Sequence, residues 1–358
     1  MIQQDNQGQA DFIATEQSQS TSNGAGQLDF IGIGDTVVDA FIRLREDQAH
    51  TSVCKIDANA SEICMPFGAK VPFDFVTVCY AVGNSANACV SASRLGLKSA
   101  LITNLGSDDD GKKCLASLKN DGVSTEYIKE YDGIKTNYHY VLWYRDERTI
   151  LIKHEDFPYT LPLGDVGPRW LYLSSLNEKS LAYHHEIAAY LAKHPETKLS
   201  FQPGGFQIKL GVEALKDLYA HTEVFFCNVE EAKLILKNQD LEPKELAKNM
   251  ATLGPKIVVI TDGPRGAYVY DDKDSWFMPI YPDHVPPYER TGAGDSFAST
   301  FVSALALGKT PSEAITWAPI NSMSVVQKVG AQEGLLSREA LEKYLTEAQE
   351  DYKAMKLA

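Results

Sequence analysis

The sequence predicts an α/β protein with a mostly parallel sheet covered on both faces and a small β-sheet lid beside it. Three observations carry this reading. From Pro168 onward, short apolar strands alternate with helix-length segments, the pattern of parallel strands joined by crossover helices. Residues 41–75 hold β-prone pieces between polar turns, with no helical period. Finally, Arg290-Thr-Gly-Ala-Gly-Asp295 runs directly into an apolar, helix-like stretch containing Phe297, Phe301, Val302 and Leu305.

In chain order, residues 28–34 form a short apolar strand ending in glycines. Within 41–75, residues 41–44, 51–54 and 62–65 are the β-prone pieces. Residues 136–144 make a strong strand, which Arg145-Asp-Glu-Arg148 turns into 149–153, a hairpin. These segments, about 41–75 and 136–154, compose the expected lid. Beyond it, strands are expected at 170–173, 198–201, 224–227 and 256–261, with 266–270 pairing after the last. Helices are expected at 180–193 and 230–236. Residues 29–350 are read as one domain, 1–28 as a disordered polar tail and 351–358 as a C-terminal tail.

A formal charge of −14 and the absence of a Lys/Arg cluster argue against nucleic acid or an anionic membrane as partner. No run reaches the roughly 18–20 apolar residues of a membrane helix, and the first residues lack the basic start and apolar middle of a signal peptide. The six cysteines show neither a CxxC pair nor zinc spacing. They are read as reduced thiols in a cytoplasmic protein.

The chemistry concentrates at Gly292, Ala293, Gly294 and Asp295. A bare loop feeding a helix start presents unpaired N–H groups and the positive end of the helix dipole, so it receives an anion. An Asp at such a site has a task beyond capping: taking the proton from a hydroxyl that attacks a phosphate held by those N–H groups.

That loop resembles the C-terminal signature of the ribokinase (PfkB) family of sugar and nucleoside kinases. Further pieces follow the family's order over about 300 residues: Gly34-Asp-Thr-Val-Val-Asp39, Gly83-Asn-Ser-Ala-Asn87, Asn228-Val-Glu-Glu231, Thr261-Asp-Gly263-Pro-Arg-Gly266, and 321–330. The resemblance implies a ribokinase-like three-layer α/β/α sandwich. It also implies transfer of the γ-phosphoryl of ATP, with Mg²⁺, to a primary hydroxyl of a sugar or sugar acid. A nucleoside is the alternative acceptor, with the aromatic-rich strand 138–144 as a stacking surface. A catalytically inactive sensor is the alternative of another class. Pairing of lids between subunits makes a homodimer through the lid an expectation.

Carried over residue by residue, Asp295 is the base and Gly292, Ala293 and Gly294 the anion loop. Asp39 is the substrate acid, Asp35 a neighbouring candidate, and Gly83, Asn84 and Asn87 the substrate loop. Asn228 and Glu231 resemble the element that holds Mg²⁺ through water. Thr261, Gly263, Gly266, Arg290, Thr291 and Asn321 fall on the nucleotide side. Two departures stand out. Val82 replaces a family glycine and adds bulk near the expected sugar. Glu289-Arg290 stands where the family has Asp-Thr. Glu289 is then the candidate acid for a monovalent cation such as K⁺. Arg290 is a candidate to replace that cation in part or to clamp a phosphate. A Rossmann reading fails, because Gly32-Ile-Gly34 lacks the third glycine that close helix–strand packing needs.

Overall fold

The computed structural model describes residues 27–55, 61–145, 147–165, 167–282 and 285–357. All but the last two residues of the expected N-terminal tail, and Asp146 of the expected hairpin turn, lie outside them. The strands are β1 (Phe30–Ile33), β2 (Val37–Leu44), β3 (His50–Val53), β4 (Ser61–Cys64), β5 (Phe73–Val82), β6 (Ser99–Gly106), β7 (Ile128–Tyr131), β8 (Asn137–Tyr144), β9 (Glu147–Leu151), β10 (Trp170–Leu173), β11 (Lys198–Phe201), β12 (Thr222–Asn228), β13 (Ile257–Thr261), β14 (Ala267–Tyr270), β15 (Ser275–Met278) and β16 (Met355–Leu357). The helices are α1 (Asn84–Arg94), α2 (Asp109–Asn120), α3 (Leu181–Lys193), α4 (Gly205–Leu210), α5 (Lys216–His221), α6 (Val229–Leu236), α7 (Pro243–Ala251), α8 (Ala293–Ala306), α9 (Pro311–Val325) and α10 (Arg338–Thr346).

A ten-stranded sheet runs in the order β16-β15-β14-β13-β12-β11-β10-β1-β6-β7. It is parallel from β7 to β13 and antiparallel from β13 to β16. Strands buried on both faces read as unbroken apolar runs, and β1 and β10 are buried at every position. One face packs against α1, α2, α8, α9 and α10 through residues such as Phe30, Phe226 and Phe301. The other packs against α3, α5, α6 and α7 through Ile31, Phe201 and Phe225. The molecule is therefore the three-layer sandwich that the alternation predicts.

A separate four-stranded sheet, β5-β2-β8-β9, forms the lid. Its limits differ from the expected ones. β2 begins at Val37 and β5 continues to Val82, so Asp39, the expected substrate acid, stands on the lid sheet. The pieces near 51–54 and 62–65 pair with each other as β3–β4, outside the lid sheet. β3 is mostly polar and exposed throughout, and β4 is half-buried with Ile63 packed on a small cluster of Leu44, Ala49 and Tyr144, so the pair rides on the lid's edge instead of joining its sheet. The expected C-terminal tail also differs: β16 extends the main sheet beside β15, and Tyr352 is buried with its hydroxyl donating to Thr316 O. Three residues are too short to announce a strand, and it is pairing that fixes them.

Candidate active site

The carboxyl ends of the parallel strands converge under the lid. Asp35 follows β1, Gln202 follows β11, Asn228 ends β12 and Thr261 ends β13; all four line one cavity of about 590 Å³. A more apolar cavity of about 460 Å³ adjoins it, and the two share Thr261, Arg290, Ala293 and Gly294. The cleft thus has a polar lobe and an apolar lobe that meet at the start of α8.

Gly292 caps that helix with φ of 83°, a left-handed conformation that glycine adopts without strain. The first-turn N–H groups of Gly294 and Asp295 have no acceptor within the helix, while Ala293 N–H makes a long turn contact of 3.4 Å to Arg290 O. Asp295 is buried, and its carboxylate is held by three amides. Asn84 Nδ2 and Gln202 Nε2 donate to Oδ1 at 2.7 and 3.2 Å, and Asn87 Nδ2 donates to Oδ2 at 2.8 Å. Asn84 and Asn87 sit three residues apart at the start of α1, hence on one side of it. Gln332 Nε2 donates to Asn87 Oδ1 at 2.9 Å and fixes that amide's orientation. Tyr172 does the same for Gln202, its hydroxyl donating to Oε1. Burial pushes the Asp295 carboxyl up, while the three amides and then the Arg148 charge pull it down; the balance is raised. A raised carboxylate is a stronger base.

Across the cavity, Asp39 on β2 faces His139, its cross-strand partner on β8. His139 Nδ1 lies 3.3 Å from Asp39 Oδ1. His139 Nε2 and His154 Nε2 are 3.3 Å apart, and His154 Nδ1 is 3.2 Å from Asp35 Oδ2. Tyr159 donates its hydroxyl to Asp35 Oδ1 at 2.7 Å. Asp35 is thus held by an imidazole and a phenol, whereas Asp39 has an imidazole beside it and no hydrogen-bond partner for its buried Oδ1 among the described residues. Gly83, at φ 119°, lets β5 turn into α1 against Asp35: a Cβ there would meet Asp35 O at 2.5 Å.

Asn228 and Glu231 form a reciprocal cap of α6. Glu231 N donates to Asn228 Oδ1 at 2.8 Å and Asn228 N to Glu231 Oε2 at 2.9 Å. Both line the cavity, so capping and a metal role coexist in geometry. Burial, then the Asp295 charge, raise the Glu231 carboxyl against the Asn228 N–H.

Thr261, Gly263 and Gly266 line the apolar lobe. Gly266 has φ 106°, and a Cβ there would meet Met278 O at 2.4 Å. Arg290 lies between the lobes. Thr291 sends its N–H and its hydroxyl to Glu289 Oε1 at 2.9 and 2.6 Å.

Asn321 is placed otherwise than expected. It is fully buried, donating to Thr300 Oγ1 at 2.8 Å and accepting from Leu336 N at 2.9 Å. It lines neither lobe, whereas Pro319, Ser322 and Met323 on the same helix line the apolar one. Val82 adds no bulk to the cavity either, since it is buried and paired with Val37. The aromatic residues of 138–144 do not line the polar lobe; His139 is the cavity-facing residue there. Gln202, Arg148 and Tyr159 went unread in the sequence. Gln202 carries one signal, its position directly after an apolar strand.

A buried carboxylate ordered by three amides at a helix start, beside a two-lobed cleft, fits a phosphotransferase acting on an alcohol. Comparison with known proteins agrees. Residues 74–338 match the family described as pfkB family carbohydrate kinase, and the chain belongs to it. The chain is 26% identical over 234 residues to mouse ribokinase, covering 63% of this chain and 71% of that protein. It is 25% identical over 319 residues to 5-dehydro-2-deoxygluconokinase of Bacillus subtilis, covering 82% and 94%. The solved structure of Arabidopsis thaliana ribokinase complexed with ribose and ATP superposes with a TM-score of 0.73 at 18% identity, covering 89% of this chain and 99% of that one.

Proposed function

We propose that this enzyme transfers the γ-phosphoryl of ATP to a primary hydroxyl of a sugar or sugar acid. The observation that carries the reading is the Asp295 carboxylate, aimed by three amides at the junction of the two lobes. The polar lobe takes the acceptor, with Asp39 and Asp35 receiving its hydroxyls. The apolar lobe takes the nucleotide, and the start of α8 receives the charge of the transferring phosphoryl. As the acceptor oxygen bonds to phosphorus, its proton passes to Asp295 and the bond to the leaving diphosphate oxygen breaks. The lid, by covering the polar lobe, excludes water as a competing acceptor.

Mg²⁺ fits the donor set. Glu231 lines the cavity with one carboxylate oxygen outside the cap, and Asn228 adds an amide, which are hard oxygen donors of the kind this ion takes, through water. Bound there, the ion would neutralise phosphate charge. Glu231→Gln should raise the Mg²⁺ concentration for half-maximal rate by about 10–100-fold, as loss of a supporting carboxylate does. A titration of rate against Mg²⁺ that superposes on the wild type would remove Glu231 from this role.

The nucleoside alternative loses its stacking surface with the aromatic residues of β8 turned away from the polar lobe. Product mass after incubation with ATP and a panel of sugars, sugar acids and nucleosides decides the class. Phosphorylated nucleoside alone would overturn the sugar reading, and no product of any class, with ATP bound, would favour the inactive sensor.

The lid also supports a homodimer. Asp39, His139 and Ile150 face the cavity, so the pleat turns Val78, Tyr140 and Leu151 outward in one cross-strand row. These three are 37%, 50% and 52% exposed, an apolar row that a second lid would cover. Tyr140→Glu should yield a monomer by light scattering; an unchanged mass would place the dimer contact elsewhere.

A further inference from the structure

Glu289 is a buried charge satisfied on one oxygen alone. It is wholly buried, and Thr291 occupies only Oε1. Oε2 has no hydrogen-bond partner among the described residues. A buried carboxylate without compensating charge is strongly unfavourable. The resemblance implies a monovalent cation here. The lid supplies another cation: Arg148 Nε, on β9, lies 3.7 Å from Glu289 Oε1.

That distance is an ion-pair contact but too long for a hydrogen bond. A shift of about 1 Å by the lid would make it a bidentate pair and satisfy Oε2 as well. A metal ion at the same carboxylate would put two positive charges on one negative group in a water-poor pocket, so ion and guanidinium exclude each other there. The longer Glu, in place of the family's Asp, extends the carboxylate by one methylene. The neighbouring residues repeat the arrangement with the signs exchanged. Glu147 on the lid lies 3.6 Å from Arg148 and 3.9 Å from Arg290. This outer half is more exposed and correspondingly weak; the buried half couples the lid to Thr291 and the anion loop.

Resting on the kinase reading above, we propose that Arg148 is a positioning residue that pairs with Glu289 as the lid closes, occupies the place of the implied monovalent cation, and makes turnover independent of K⁺. Arg148 also lines the polar lobe, so closing the lid brings its charge towards Asp295 in the same movement.

The test compares wild type, Arg148→Ala and Arg148→Lys in potassium chloride and in choline chloride, reading kcat and the unfolding temperature. Wild-type kcat should change by less than about twofold between the salts. Arg148→Ala should lose about tenfold or more in choline, recover in part with K⁺ or guanidinium, and unfold at a higher temperature in K⁺ than in choline. Arg148→Lys should keep less of its rate in choline than the wild type does, because an ammonium cannot make the bidentate pair. A wild type that loses tenfold in choline overturns the proposal, as does an Arg148→Ala protein indifferent to K⁺ in both readouts. The unfolding readout needs no turnover. An inactive wild type whose Arg148→Ala variant still gains stability from K⁺ would retire the kinase reading and keep the pairing.

Discussion

Asp295→Asn lowers kcat by at least ~10²-fold, the range expected for a positioned acid–base group, and leaves the fold intact. The amide is isosteric but cannot take the acceptor's proton. The wild-type rate should carry an acid limb that the variant lacks. Burial raises the Asp295 carboxyl above the ordinary Asp range, with the amides and Arg148 only partly opposing it. The base is lost as pH falls through that raised value, so kcat increases with pH across it. The sign for stability is opposite. The folded state binds this proton more tightly than the unfolded chain does, so the site's contribution to stability grows as pH falls through the folded value. Rates measured from pH 4 to 8 check the acid limb, and unfolding measured over the same range checks the sign for stability. Near-normal turnover of the variant, or the same acid limb in both proteins, would take the base away from Asp295.

Gly292→Ala is the second large loss. The residue sits at φ 83°, and a Cβ there would lie 2.4 Å from Ala331 Cβ and 2.6 Å from its Cα. Neither the helix start nor the loop beyond α9 can hold its place against that contact. The first-turn N–H groups then lose their aim at the phosphoryl charge, and misplacing such donors costs about 10²–10³ in kcat. Backbone strain adds roughly 1–3 kcal/mol of destabilisation. Gly294→Ala is the control for stability: its Cβ would meet only Gln202 Nε2, at 3.9 Å, and its φ is not positive. Thermal unfolding should separate the two, with Gly292→Ala melting lower and Gly294→Ala close to wild type. Equal melting temperatures would mean that the Ala331 loop yields freely.

The helix start at Gly292 and the acid in its first turn were legible in the sequence because those residues are contiguous, and glycine next to an acid before an apolar run has few physical readings. The alternation of strands and helices likewise exposed the main sheet. What orders the base was not legible. Asn84, Asn87 and Gln202 stand 211, 208 and 93 residues from Asp295; the packing of α1 beside α8 brings the two asparagines to it, and the end of β11 brings Gln202. Asn84 and Asn87 were assigned to substrate on the motif; the structure adds their hold on the carboxylate. Asn321 was assigned to the nucleotide side on the motif, whereas its buried partners Thr300 and Leu336, which take it out of the cleft, come from two other segments that the motif does not contain. Val82 was expected to add bulk near the sugar, but sequence does not say which face of β5 meets the cavity. The lid limits shifted because β2 and β5 acquire their ends by pairing with each other, and tertiary pairing overrides local propensity in strands.

The most direct measurement is the mass of the product formed from ATP and a sugar or sugar acid by wild type and by Asp295→Asn under identical conditions. The wild type should yield an acceptor heavier by one phosphoryl group, and the variant at least ~10²-fold less of it per unit time. Equal amounts from both proteins, or phosphate released to water with no phosphorylated acceptor, would contradict it.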